Sequence, residues 1–124
     1  MSAERKNDHV RLAVEQQHGR AGHNEFDDVS FVHHALAGVD RSEVSLATSV
    51  AGLTWPVPLY INAMTGGTDM TGVINRDLAI AARETGVPIA TGSMSPYFKD
   101  PATAETFSVM RRENPDGFIM ANIN

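Results

Sequence analysis

From Pro58 onward one pattern recurs: an apolar run stops abruptly in small polar residues and then feeds a helical stretch. Pro58 to Thr68 reads PLYINAMTGGT, Val87 to Ser95 reads VPIATGSMS, and Gly117 to Asn124 reads GFIMANIN. The first run, Pro58 to Met64, is apolar on both faces except at Asn62, as a parallel strand covered by helices should be. Between the runs, Asp69 to Thr85 places Ile74, Leu78, Ala81 and Ala82 on one helical stripe. Asn75, Arg76, Asp77, Arg83 and Glu84 fall mostly elsewhere. Gly86 supplies the stop, and Pro88 prevents continuation. Val87 to Thr91 is the second strand. Asp100-Pro101 then joins a cap to a proline at the first helical position, predicting a helix to about Arg112 with Ala104, Phe107 and Met110 inward. Asn114-Pro115-Asp116-Gly117 is a turn, and Phe118 to Ala121 is the third strand. Strand, helix, strand, helix, strand is the order of a parallel α/β sheet with right-handed crossovers.

The first 57 residues differ in character. Ala3 to Gln17 reads as a weakly amphipathic helix ended by Gly19, and Gly19 to Asp28 reads as a loop. Phe31 to Leu36 is a short apolar piece. Ser42 to Pro58 alternates, breaks at Gly52 and reads as a hairpin, which in a barrel would plug the bottom. Trp55, just ahead of Pro56 and Pro58, reads as packing rather than chemistry. Residues 1–57 are thus expected to form an N-terminal arm and hairpin, and residues 58–124 the first βαβαβ units.

Composition excludes several functions. A formal net charge of -5 gives no basic footprint for nucleic acid. The absence of cysteine removes disulfides and thiolate metal ligands and fits a reducing compartment. No stretch approaches the roughly 20 apolar residues of a membrane span. The N-terminal MSAERKNDHV lacks the apolar core of a signal peptide, so a cytoplasmic protein is expected.

In parallel α/β proteins of the barrel type, ligands meet the C-terminal strand ends. Here those ends offer Asn62, Thr65, Ser93, Ser95, Asn122 and Asn124, beside Met64 and Met94. Neutral hydrogen-bonders next to soft apolar surface suit a flat heteroaromatic ring such as a flavin and suit a metal poorly. His33 and His34 are adjacent, so their side chains diverge and do not share a metal. Arg5-Lys6 with His9 reads either as a solvated helix start or as an anion clamp. A (β/α)8 barrel takes about 250 residues and eight strands. Three strands therefore read as the N-terminal part of such a barrel, preceded by a helix and a hairpin.

Five strings carry a family resemblance: RKNDH at Arg5 to His9, FVHHAL at Phe31 to Leu36, NAMTGGT at Asn62 to Thr68, TGSMS at Thr91 to Ser95, and Ala121-Asn122. Together they resemble the type 2 isopentenyl-diphosphate isomerases, over nearly the whole chain. The resemblance implies an oligomeric flavoprotein barrel of isoprenoid biosynthesis that interconverts isopentenyl and dimethylallyl diphosphate. It implies reduced FMN, Mg2+, and NADPH to prime the flavin. It assigns Ala63, Met64, Thr65, Ser93 and Asn122 to FMN. It assigns Arg5 and Lys6 to the substrate diphosphate, with His9 beside them, and Ser93, Met94 and Ser95 to the substrate. Many relatives carry arginine where this chain has Ser95. The magnesium ligand and the FMN phosphate loop would lie beyond the third strand, so no metal ligand or catalytic group is assigned here. These 124 residues alone are expected to bind FMN weakly or not at all and not to turn over substrate.

Two other readings use the same residues. One is a portion of another FMN barrel, such as a 2-hydroxy-acid oxidase, in which Arg5-Lys6 would have no task. The other is a non-catalytic chain that needs a partner to complete its barrel.

Overall fold

The computed structural model describes residues 3–19, 22–36, 38–62 and 64–123. Four α-helices and four short strands follow in the order α1 (Ala3–His18), β1 (Thr48–Val50), β2 (Leu53–Trp55), α2 (Asp69–Thr85), β3 (Ile89–Ser93), α3 (Ser95–Lys99), α4 (Glu105–Glu113) and β4 (Ile119–Asn122). Short 3-10 turns cover Glu25–Asp28, Arg41–Glu43 and Pro101–Ala104.

α2 runs over the expected residues because both ends are defined locally. Thr68 accepts from the Thr71 N–H (3.3 Å), and the Thr71 hydroxyl accepts in return from the Thr68 N–H (2.9 Å). This reciprocal cap satisfies two orphan donors of the first turn. At the other end Gly86 adopts a left-handed φ of 71°, which glycine reaches without a Cβ penalty.

β3 is the centre of a parallel sheet. It pairs with β4 through Ile89–Ile119, Ala90–Met120 and Ser93–Asn122, with a register shift between Ala90 and Ser93. On its other side, Ile61 donates to the Pro88 carbonyl (2.9 Å) and accepts from the Ala90 N–H (2.8 Å). The lateral order is therefore the chain order. α2 and α4 pack on each other and on one face of this sheet, burying Ala79, Ala82, Ile89, Val109 and Met110, with Ile61, Leu78 and Ile119 against them. Burying Ile89 and Met110 stabilises the unit by about 2 kcal/mol each.

β1 and β2 form the expected hairpin, restricted to Thr48–Trp55 and turned at Ala51 and Gly52, both with positive φ. Two positive φ values in a row match the twist of a tight hairpin. Trp55 packs tilted against Tyr60 (6.1 Å between ring centroids) and Phe118 (6.4 Å). Leu53, Thr54, Trp55 and Pro56 line one cleft with Pro88 and Phe118, the residues just before β3 and β4. The hairpin thus lies at the N-terminal end of the parallel strands, and Trp55 packs against two rings there, as its place beside Pro56 and Pro58 implies.

Several expectations change. Among the described residues of the run from Pro58 to Met64, Ile61 bridges to β3, and Leu59 and Tyr60 are exposed. Within α2, Ala81 is exposed and Asn75 is buried, because the face toward α4 is the one marked by Thr71, Asn75, Ala79 and Ala82. The helix expected from Pro101 to Arg112 is divided. Asp100 does cap it, accepting from the Ala102 N–H (3.0 Å), but the Thr103 N–H bonds to Asp100 (3.1 Å) in the tighter 3-10 pattern before α4 begins. α3, ahead of it, lies where the sequence reading assigns no element, and the Asp100 N–H closes it on the Pro96 carbonyl (2.8 Å). Phe31, Val32 and Leu36 are exposed, in a segment without helix or strand.

On the outer side of α4, Arg112 and the Ser108 hydroxyl (3.0 Å) both donate to Glu105. Those hydrogen bonds, Arg112 first, hold the Glu105 carboxyl below its ordinary value. A depressed folded-state value adds stability that is present above the unfolded value and lost as pH falls through the folded one. Glu105→Gln is therefore expected to flatten the loss of thermal midpoint below the ordinary glutamate range, measured against the parent chain from pH 6 downward.

Candidate functional site

Three adjacent C-terminal strand ends converge. The Gly92 N–H donates to the Thr65 carbonyl (3.0 Å), the Met94 N–H donates to the Asn122 carbonyl (2.9 Å), and Ser93 stands in register with Asn122. The Asn122 N–H turns to the Thr91 hydroxyl (3.0 Å), which fills the gap left by the register shift. Thr65, Ser93 and Asn122 thus lie side by side across the sheet, each half-buried. The Ser93 hydroxyl donates to Ser95 (3.1 Å) and accepts from the Ser95 N–H (3.3 Å), holding the first turn of α3 to the strand end. Met64 is exposed next to Thr65, while Ala63 lies outside the described residues, as does Asn124. Asn62 accepts from the Tyr60 hydroxyl (3.3 Å).

Met94 goes elsewhere. It lines an apolar hollow of about 360 Å³ with Thr91, Tyr97, Ala104, Phe107 and Ala121, between the strand ends and α4. It is therefore set apart from the Ser93 hydroxyl at the end of β3.

A buried polar network under the first strand end went unread in the sequence. Asn75, 2% exposed, donates through Nδ2 to the carbonyls of Thr65 (3.3 Å) and Thr106 (2.7 Å). Its Oδ1 accepts from the Thr65 hydroxyl. The Thr106 hydroxyl accepts from the Gly67 N–H (2.9 Å) and donates to the Thr103 carbonyl (2.7 Å). These bonds tie the segment from Thr65 to Gly67 to both α2 and α4. Glycine is required where the segment turns: a Cβ on Gly66, at φ 150°, would meet the Phe107 ring at 2.1 Å. The available signal was an asparagine and a threonine on otherwise apolar helix faces, each of which must be paired if buried.

α1 brings the basic pair to the same end. The Thr68 hydroxyl donates to Asn7 Oδ1 (2.8 Å), joining the helix cap of α2 to α1 across sixty-one residues of sequence. Lys6, beside Asn7, is buried at 6% exposure, whereas Arg5 and His9 are exposed.

Among the described residues, no group of three or more His, Asp, Glu or Cys side chains lies together as a metal would require. His33 and His34 are exposed in an irregular segment. Among the described residues, too, no helix is long and apolar enough to cross a membrane.

The molecule is thus a mixed α/β chain with a neutral polar rim at its parallel strand ends and the helix that carries Arg5 and Lys6 docked beside it. Several proteins similar to it in sequence share one name. It is 71% identical over 123 residues to the isopentenyl-diphosphate delta-isomerase of Streptomyces sp. (strain CL190) and 69% identical over 123 residues to that of Kitasatospora griseola. It is 56% identical over 124 residues to that of Nocardia farcinica (strain IFM 10152) and 42% identical over 120 to that of Staphylococcus aureus (strain JH9). These matches take in 97 to 100% of this chain, yet the chain spans only 34% of each relative's length. No protein-family model matches the chain.

Proposed function

We propose that this chain carries the first strand ends and the basic arm of an FMN-dependent, type 2 isopentenyl-diphosphate delta-isomerase. The observation that carries this reading is the neutral rim of Thr65, Ser93 and Asn122 across three adjacent strands. Its donor set fits a flavin: hydroxyls and amides suit a ring edged with carbonyls and nitrogens, and the described strand ends carry Thr65, Ser93 and Asn122 rather than carboxylates. The relatives' common name supports the substrate class, isopentenyl and dimethylallyl diphosphate. The order of strands, with both helices on one face and the hairpin at the opposite end, supports a partial (β/α)8 barrel.

When bound, reduced FMN supplies the proton transfers of the allylic shift, with NADPH as the reductant that primes it. Ala63, Met64, Thr65, Ser93 and Asn122 hold the ring, and Ser95, joined to Ser93, meets the substrate. Arg5 and Lys6 neutralise the diphosphate, which Mg2+ also binds in the full assembly. The rest of the barrel, and the oligomer it builds, completes the site. The 124 residues alone do not turn over substrate, and isomerase activity from the purified chain would refute that statement.

The reading is tested by NMR titration of the chain. FMN, held weakly by the 124 residues alone, is expected at millimolar concentration to shift the amides of Thr65, Ser93 and Asn122, and inorganic diphosphate those of α1. Lys6→Ala is expected to weaken the diphosphate response about tenfold, the loss of one charge-assisted bond. Diphosphate shifts unchanged in that variant, or FMN shifts confined to residues outside the strand ends, would refute it.

A further inference from the structure

The hydrogen atoms of the Asn75 network can be counted, and the count fixes the direction of every bond in it. Asn75 Nδ2 has two hydrogens, and both go to carbonyl oxygens, of Thr65 (3.3 Å) and Thr106 (2.7 Å). A carbonyl cannot donate, so the amide cannot be turned the other way round. Oδ1 therefore faces the Thr65 hydroxyl and must accept from it. The Thr65 carbonyl has its two lone pairs engaged, by Asn75 and by the Gly92 N–H (3.0 Å). A hydroxyl has one hydrogen, and that of Thr65 is spent inward.

We infer that Thr65 is an acceptor-only hydroxyl, set by Asn75 as its positioning residue, so the ligand atom that meets it must bring its own hydrogen. The inference rests on the flavin reading above and sharpens it. An isoalloxazine ring gains N–H hydrogens on reduction at positions that are bare acceptors when oxidised. An acceptor-only hydroxyl at the strand end therefore binds reduced FMN in preference to oxidised FMN. A buried Asn75 that could rotate would leave Thr65 free to serve both forms equally. The two carbonyls on Nδ2 prevent that rotation.

Two measurements on the 124-residue chain test this. The first needs no ligand: the Thr65 hydroxyl proton should exchange slowly enough to be seen by NMR, with a cross-peak to the Asn75 side-chain amide. A hydroxyl proton averaged with water would overturn the assignment. In the second, oxidised FMN and dithionite-reduced FMN are titrated separately up to millimolar concentration. The reduced form should bind about tenfold more tightly, the difference one hydrogen bond makes. Thr65→Val should abolish the preference and Thr65→Ser should retain it, which separates hydrogen-bond direction from packing. Equal affinity for the two forms would overturn this inference alone. Binding of neither form would overturn it together with the flavin reading.

Discussion

Gly92→Val is expected to lower the thermal midpoint by about 10 °C, corresponding to about 3 kcal/mol for a domain of this size. A Cβ at Gly92 would lie 2.4 Å from the Thr65 carbonyl oxygen and under 3 Å from the Thr65 carbonyl carbon and nitrogen. Those atoms are backbone, so no rotamer change relieves the overlap; the two strand segments would have to separate. Separation would also break the Gly92 N–H bond to Thr65 and draw that carbonyl away from Asn75. Gly22→Ala is the control, since nothing lies within 4 Å of its Cβ and the residue is exposed. It should stay within about 0.5 kcal/mol of the parent in urea unfolding. A Gly92→Val chain as stable as the control would mean the two strand ends are not in contact.

The second large effect is expected at Asn75. Asn75→Leu keeps the branching of the side chain and removes three hydrogen bonds, leaving the Thr106 carbonyl and the half-buried Thr65 hydroxyl without their partner. Each stranded polar group costs about 1 to 3 kcal/mol, so the variant should lose about 3 kcal/mol by denaturant unfolding. Amide hydrogen exchange gives the sharper readout. The N–H groups of Gly67 and Gly92 bond to Thr106 and Thr65, the residues Asn75 links, and their protection should fall more than that of β1 and β2. Uniform loss across the chain would point to packing alone.

The sequence made legible the elements whose ends are set by local chemistry. Thr68 and Gly86 bound α2, Asp100 caps its turn, and Asn114 to Gly117 forms its tight connection. Ala51 and Gly52 likewise turn the hairpin. What escaped reading depends on contacts distant in the chain. Asn75 looks like a surface residue by helical spacing, and it is buried only because Thr65 and Thr106 bring it partners from ten and thirty-one residues away. The apolar run around Ile61 reads as a strand, and its pairing with β3, through Ile61 and Ala90, joins residues twenty-nine apart. For the site, the strand-end hydroxyls were visible as residue types, and their alignment came from the parallel register of β3 and β4. The burial of Lys6 was not visible, since its docking depends on the long-range contact between Asn7 and Thr68.

Trp55 is the only tryptophan of the chain, and it sits between Tyr60 and Phe118 at the end of the sheet opposite Thr65 and Ser93. Strands of four to five residues separate the two ends by about 15 Å. That makes its emission a built-in probe with two separable signals. Loosening of the hairpin exposes the indole to water and moves the emission to longer wavelength. A light-absorbing ring held at the far strand ends would dim the same emission by energy transfer, with no change of wavelength and no contact. One spectrum can therefore distinguish a chain that has filled its site from one that has begun to unfold.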